Sequence, residues 1–395
     1  MQMDLTGWLL ANYGQEQMRP GLERVAQALK GLKPQLESAR IVIIAGTNGK
    51  GETTLRLSNL LAGHSRLVWT SPHIERITER FCDETGEIDE SKLQELVRKC
   101  HAEAQREKYE LSFYEFLFFV FCTWAVEKKP EFLLLEVGLG GRLDAVNVFD
   151  AELVLLPSIS RDHQEFLGPR FDLILAEKLG TLRKNSQLIH FLETNYLSER
   201  ASALAESIGA RVCALKDDSQ IPPYAFSARN QLLAAAALAY LKGEKFSTFD
   251  WNPAQTLLEN RGEVVKSTNE YTLFGSHNVD GLRKLIQFLH SDTYNFSKGP
   301  FDLIIVAFSR RDERDLRIMI RMLRKSGLGK LVVTTFSHPK AAAGVVMERL
   351  ALEEGSEFAK DLRGYVQGAD KNRRVLVTGS YYFLGEFKKR FCLSE

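Results

Sequence analysis

Ile41-Val-Ile-Ile-Ala-Gly-Thr-Asn-Gly-Lys-Gly-Glu-Thr-Thr54 decides the fold. An apolar β run opens into a glycine-rich turn carrying a lysine, and an amphipathic stretch follows from residue 55. Small residues let backbone N–H groups converge on phosphate oxygens. The following helix N-terminus adds positive potential, and Lys50 adds a full charge. The segment therefore reads as a phosphate cradle between a strand and a helix. It departs from G-x-x-x-x-G-K-[ST], because Ile44 holds the first glycine position and Gly51 follows the lysine. A glycine turn at such a place also has a purely architectural reading. Glu52 adds an anion where phosphate would approach; at about 4 Å the repulsion is ~1–4 kcal/mol, depending on screening. An intervening cation would reverse the sign.

Working outward, apolar runs at 41–45, 66–70, 132–137, 153–158 and 187–191 read as strands. Helical patterns fall at 21–32, 91–107, 112–126, 171–182 and 230–241. Near-continuous apolar strands separated by helices predict a parallel sheet covered on both faces. The polar passage 259–270 reads as a linker, after which the pattern restarts. Strands are expected at 271–274, 303–308, 331–335 and 375–378, with helices at about 280–289, 313–324 and 341–350. Residues 290–299 read as a polar surface loop.

A chain of 395 residues is long for one core. Lys plus Arg total 52 against 51 for Asp plus Glu, so no global field recruits nucleic acid or a membrane surface. Five scattered cysteines without C-x-x-C favour free thiols over a zinc site. Residues 111–126 are the most apolar stretch, yet too short for a span of about 20 residues and interrupted by Glu115. A buried helix is expected there. No secretory pattern is visible at residues 1–8, and a cytoplasmic protein is expected.

Further motifs sit at predicted strand ends, where ligands gather in parallel sheets. Thr70-Ser-Pro-His73 offers a hydroxyl and an imidazole for a metal or a polar substrate, or is a capped loop. Glu136, ending an apolar strand, reads as a magnesium ligand or as a core carboxylate paired with Arg142. Asp162 and His163 follow the next strand, as ligands or as structural polar residues. Lys178, on local pattern alone, reads as a helix-surface lysine.

The order and wording of these motifs resemble the folylpolyglutamate synthase/dihydrofolate synthase branch of the Mur ligase superfamily. The resemblance rests on Gly21-Leu-Glu-Arg24, Gly46-Thr-Asn-Gly-Lys-Gly51, Thr70-Ser-Pro-His73 and Glu136-Val-Gly-Leu-Gly-Gly-Arg-Leu-Asp-Ala145. Asp162-His163, Glu177-Lys178, Arg261, His277-Asn278 and Gly379-Ser-Tyr-Tyr382 complete it. It implies an α/β chain: a P-loop ATPase-type domain with a central, mostly parallel sheet (1–262) and a smaller Rossmann-like α/β domain (263–395). It also implies an ADP-forming amide ligase that uses ATP and Mg²⁺ to join L-glutamate to dihydropteroate or a folate. No nucleic acid or membrane partner is expected, and a monomer is favoured.

Carried over by position, Gly46, Thr47, Asn48, Gly49, Lys50, Gly51 and Thr53 would cradle the nucleotide, with Lys50 on its β/γ-phosphates. Ser71 and Glu136 would hold one Mg²⁺, and His163 with Glu136 a second. Lys178 matches a lysine carbamylated in many members. Arg261 would reach the triphosphate, and His277 and Asn278 would meet nucleotide or substrate. The resemblance places the reaction between the domains, with closure gating it.

Four departures stand against the family pattern. Glu52-Thr53 replaces Ser-Thr, Phe274 replaces an aspartate, Glu259-Asn260 replaces Pro-Gly, and the approach to Thr70 is short. Glu52 and Phe274 are the features that would favour an alternative, a degenerate member that binds without turnover.

Overall fold

The computed structural model describes residues 4–14, 19–215, 221–222, 224–246, 261–267, 269–291, 300–367 and 372–392. The chain forms two compact units, residues 1–221 with 226–250 and residues 222–225 with 251–395.

The first unit is built on an eight-stranded sheet. Its strands are β1 (Arg40–Ile44), β2 (Arg66–Trp69), β3 (Phe81–Asp83), β4 (Gly86–Glu87), β5 (Phe132–Glu136), β6 (Leu153–Leu156), β7 (Gln187–His190) and β8 (Arg211–Ala214). The order is β4-β3-β2-β5-β1-β6-β7-β8. All neighbours are parallel except the β2–β3 and β3–β4 pairs. The five expected strands are present. The β3–β4 hairpin and β8 come in addition, and the antiparallel hairpin makes the sheet mixed rather than wholly parallel.

Its helices are α1 (Leu5–Tyr13), α2 (Glu23–Leu29), α3 (Lys50–Leu60), α4 (Glu90–Glu107), α5 (Phe113–Lys128), α6 (Gln164–Leu167), α7 (Phe171–Leu179), α8 (Asn195–Ile208) and α9 (Phe226–Lys242). Helices α3 and α9 cover one face of the central strands, where Leu57, Leu233, Ala234 and Ala237 meet Val42, Ile44, Leu134 and Leu155. Helix α5 lies in the core on the other face, with Phe116, Phe118, Phe119 and Phe121 fully buried. Burial of each such ring stabilises by about 1.5–3 kcal/mol. Ser112 and Glu115 close a reciprocal capping box at its start, and Arg24 pairs with Glu115 at 2.8 Å. That apolar segment is the expected buried helix, and among the described residues no helix is long and apolar enough to cross a membrane.

The second unit holds β9 (Arg261–Lys266), β10 (Glu270–Phe274), β11 (Leu303–Ala307), β12 (Lys330–Val333), β13 (Glu357–Phe358) and β14 (Arg374–Gly379). Their order is β13-β12-β11-β14-β10-β9, parallel apart from β9. Helices α10 (Val279–Leu289), α11 (Glu313–Lys325), α12 (Gly344–Glu353), α13 (Arg363–Val366) and α14 (Tyr381–Phe387) accompany them.

One correction concerns the linker. Residues 261–266 are not a connecting passage but strand β9, paired antiparallel with β10. The segment reads Arg-Gly-Glu-Val-Val-Lys, and its pairing with β10 makes it the edge strand of the second sheet. Residues 259–260 and most of the expected loop 290–299 lie outside the described residues.

Candidate active site

The phosphate turn leaves β1 and is braced by the segment that leaves β6. Thr47 Oγ1 donates to the Ser160 carbonyl (3.1 Å) and accepts from Ser160 N–H (3.0 Å). Asn48 N–H donates to Ser158 Oγ (2.9 Å), whose hydroxyl donates to the Asn48 carbonyl (2.8 Å). Gly49 takes a left-handed conformation (φ 89°) immediately before α3. A Cβ there would also stand 2.6 Å from Asn230 Oδ1, so only glycine fits. Lys50 Nζ donates to the Thr47 carbonyl at 3.1 Å, so a neutral oxygen holds its charge beside the turn. Thr53 is fully buried and its hydroxyl has no hydrogen-bond partner.

Glu52 neither faces the phosphate position as a bare anion nor joins a metal cluster. Its carboxylate is buried (5 % exposed) and accepts from Arg56 Nε (2.9 Å) and Nη2 (2.8 Å). It also accepts from Asn230 Nδ2 (2.8 Å) and from the Ser227 hydroxyl. Both latter groups belong to α9.

Glu136 and Ser71 meet at adjacent strand ends. Glu136 pairs in register with Ile44, the last residue of β1, and Ser71 follows β2. Ser71 N–H donates to Glu136 Oε2 at 3.1 Å. The Ser71 hydroxyl is buried without a hydrogen-bond partner. Hard divalent cations take carboxylate and hydroxyl oxygens, so this pair fits such an ion. The alternative partner for Glu136 is ruled out: Arg142 pairs instead with Glu177 at 2.8 Å. His163, in left-handed backbone (φ 49°) before α6, has a half-exposed imidazole with Nδ1 3.8 Å from Glu165 Oε1. Among the described residues no three His, Cys, Asp or Glu side chains are grouped so as to hold a metal.

Lys178 overturns its local reading. It is buried, and its Nζ donates to the Gly46 carbonyl at 2.8 Å. Burial, and then the charge of Lys50, lower its pKa to about 7; Asp162, Asp144 and Glu177 oppose the shift. The cause is the docking of the glycine loop onto the end of α7. A Cβ at Gly141 would stand 2.8 Å from the Glu177 carbonyl, and Arg142 N–H donates to that same oxygen at 2.8 Å.

Several residues escaped the sequence reading. Asp144 is buried and binds the glycine loop through the N–H groups of Gly138 (2.9 Å) and Leu139 (3.0 Å). Trp69 Nε1–H donates to Tyr114 Oη, which donates to Asp144 Oδ1, both at 3.1 Å. Burial raises the Asp144 pKa to about 6 against these donors. Ser158, Ser160, Arg56 and Asn230 form the second group. Asp144 stands within a recognisable motif, and Arg56 follows Glu52 at the i,i+4 spacing that could have marked their pair. No local signal marked Ser158, Ser160 or Asn230, because each acts on a segment distant in sequence.

In the second unit, Asn278 caps α10 by accepting from Gly281 N–H at 2.8 Å. His277 Nδ1 lies 3.2 Å from the Gly275 carbonyl, with its ring 5.5 Å from that of Tyr381. Phe274, at the position of the lost aspartate, packs in the core with its ring 6.1 Å from that of Phe288. The backbone of Arg261 pairs with Phe274; its side chain lies outside the described residues.

No family model matches the chain. The protein named dihydrofolate synthase/folylpolyglutamate synthase from Bacillus subtilis is 25% identical over 94% of this chain and 95% of its own length. The Escherichia coli protein of the same name is 34% identical over 47% of this chain and 44% of its own. A crystal structure of the bifunctional folylpolyglutamate synthase/dihydrofolate synthase of Yersinia pestis, complexed with AMPPNP and manganese, superposes with a TM-score of 0.77. The two chains are 25% identical, and 98% of each is covered.

Proposed function

The chain belongs to the folylpolyglutamate synthase/dihydrofolate synthase family, and we propose that it is an ATP-dependent, ADP-forming ligase joining L-glutamate to dihydropteroate, to a folate, or to both. The observation that carries this reading is the juxtaposition at the strand ends of the first sheet. The phosphate turn, the Ser71–Glu136 oxygen pair and the buried Lys178 all gather around Gly46 and Ile44.

In this reaction a substrate carboxylate oxygen attacks the γ-phosphorus of ATP, and ADP leaves. The glutamate amine then attacks the acyl carbon, and phosphate departs as the tetrahedral intermediate collapses. Phosphoryl transfer is mostly positioning and charge neutralisation. Residues 46–51 with Thr53 would position the triphosphate through backbone N–H groups and the unpartnered Thr53 hydroxyl. Lys50, held by a neutral carbonyl, keeps its positive charge for the β/γ-phosphates.

Ser71 and Glu136 would hold a divalent ion, which we take to be Mg²⁺; when bound it neutralises developing phosphoryl charge. His163 would join a second such site only after its imidazole leaves Glu165. With a pKa near 7, Lys178 is partly a neutral amine at physiological pH, the form that adds to carbon dioxide to give a carbamate. That modification would exchange a buried cation for an anion beside the oxygen pair. Arg261, His277 and Asn278 are the second unit's proposed contributors to nucleotide and substrate contact. We take the monomer as the working unit and, since all five cysteines are free thiols, the cytoplasm as its compartment.

The test is ADP release from ATP, Mg²⁺ and L-glutamate, with and without dihydropteroate or a reduced folate. Absence of substrate-dependent ADP, together with absence of ATP binding by calorimetry, would sink the proposal.

A further inference from the structure

We propose that Glu52 and Asn230 are positioning residues for nucleotide binding, forming a clamp through which α9 fixes the conformation of the phosphate turn. The clamp is a chain of contacts. Arg56, one helical turn along α3, and Ser227 on α9 hold one oxygen of Glu52. The other oxygen accepts from Asn230 Nδ2 at 2.8 Å. The same amide fills the space that a side chain on Gly49 would take, with Oδ1 2.6 Å, Nδ2 3.0 Å and Cγ 3.1 Å from where its Cβ would stand. Gly49 is the left-handed residue that aims the turn's N–H groups, so the clamp acts on the hinge of the cradle.

Charge accounts for the choice of an acid. A carboxylate in the first turn of a helix is favoured by the helix dipole, yet at a phosphate site it competes with the ligand. Glu52 avoids the competition because its charge is spent on Arg56 and two α9 donors, with only 5 % of the residue exposed. The Asn230 amide would otherwise be free to rotate about its last torsion and present either group to Gly49. With the carboxylate present, the Nδ2–Glu52 bond selects one orientation.

This inference rests on the nucleotide-binding part of the proposed function and not on turnover. Its test is calorimetric titration of the full-length protein with ADP in EDTA and with AMPPNP in Mg²⁺. Asn230→Ala, Glu52→Ser and the double variant are each compared with the unmodified protein. Each single change should weaken ADP binding about tenfold, by the same factor with and without metal. The double variant should be no worse than the worse single, because one linkage is broken either way. Glu52→Gln, which still accepts from Asn230, should restore part of the loss. The KM for L-glutamate should stay unchanged while the KM for ATP rises, a split that general loosening of the unit would not produce.

Three results would overturn the clamp. Tighter binding by Glu52→Ser would mean that Glu52 repels phosphate. A loss seen only with metal would make it a ligand, and fully additive losses would uncouple the two residues. If the unmodified protein binds ADP without ligating glutamate, the ligase proposal fails while the clamp remains testable. If it binds no nucleotide at all, both fail.

Discussion

His190 ends β7, paired in register with Leu156 at the end of β6, and it offers a quantitative check of the first unit. Its side chain is 1 % exposed, and both ring nitrogens are buried without a hydrogen-bond partner. Burial lowers its pKa from the ordinary 6.5 to about 4. The folded protein therefore holds a neutral imidazole where the unfolded chain, below pH 6.5, holds a cation. Because the unfolded state binds the extra proton, stability falls as the pH drops through that interval. The loss is about 1.4 kcal/mol per pH unit, roughly 3 kcal/mol in all between pH 6.5 and 4. Below pH 4 both states are protonated, and this contribution stops growing.

His190→Val removes the titration and also the two unpartnered nitrogens, whose desolvation costs about 1–3 kcal/mol, and places a β-branched residue on a buried strand. At pH 7.5 the variant should match or exceed the unmodified protein in stability. At pH 4.5 its advantage should be larger by about 2–3 kcal/mol. Three of the four tryptophans, Trp8, Trp69 and Trp124, lie in the first unit, so urea unfolding followed by tryptophan fluorescence reports on it. Parallel stability–pH curves for the two proteins from pH 4 to 8 would refute a buried neutral His190. So would a ring proton signal in NMR that titrates near pH 6.5 in the folded state.

The remaining predictions concern the site and its supports. Lys178→Met removes the Nζ–Gly46 bond and the amine, and ADP release should fall on the order of 100-fold or more while nucleotide binding measured by calorimetry persists. Gly49→Ala forces a side chain into left-handed backbone and against Asn230 Oδ1; it should cost about 1–2 kcal/mol in urea unfolding and remove measurable ADP binding. Phe274→Asp restores the family's residue type but buries a carboxylate in a packed core. It should destabilise the second unit by about 3 kcal/mol or more, read from hydrogen exchange of β10 and β14, without improving the KM for ATP.

The central strands were legible because each is a near-continuous apolar run, the mark of a strand buried on both faces. Strands β3 and β4 are three and two residues long, and β8 is an edge strand with an exposed arginine, so no such run exists in them. Strand β9 holds only two adjacent valines among glycine and charged residues, and its composition alone resembles a linker. Motif wording brought forward Gly46–Lys50, Ser71 and Glu136, candidates that each lie in a contiguous segment. Lys178 was misread because its burial depends on a loop 37 residues away that has glycine at the contact (178 less 141). Asn230 was missed because its partner stands 178 residues earlier. Periodicity and local spacing report nothing about such pairings.

Glu52 and Phe274 were the two residues that favoured a degenerate protein without turnover, and the structure gives each a place in the packing. Glu52 is buried, and a buried carboxylate costs several kcal/mol unless it is paired and hydrogen-bonded. Arg56, Ser227 and Asn230 meet that requirement from two helices, and Asn230 in turn fits against a glycine that admits no other residue. The acid at 52 is thus satisfied by groups at 56, 227 and 230, one of which also fits against the turn's left-handed glycine. Phe274 likewise exchanges a polar position for packing against Phe288, leaving the backbone pairing of β10 with β14 intact through Thr378. Asn230→Ala therefore separates the two histories. In a working cradle it weakens nucleotide binding, whereas in a vestigial one it alters stability alone.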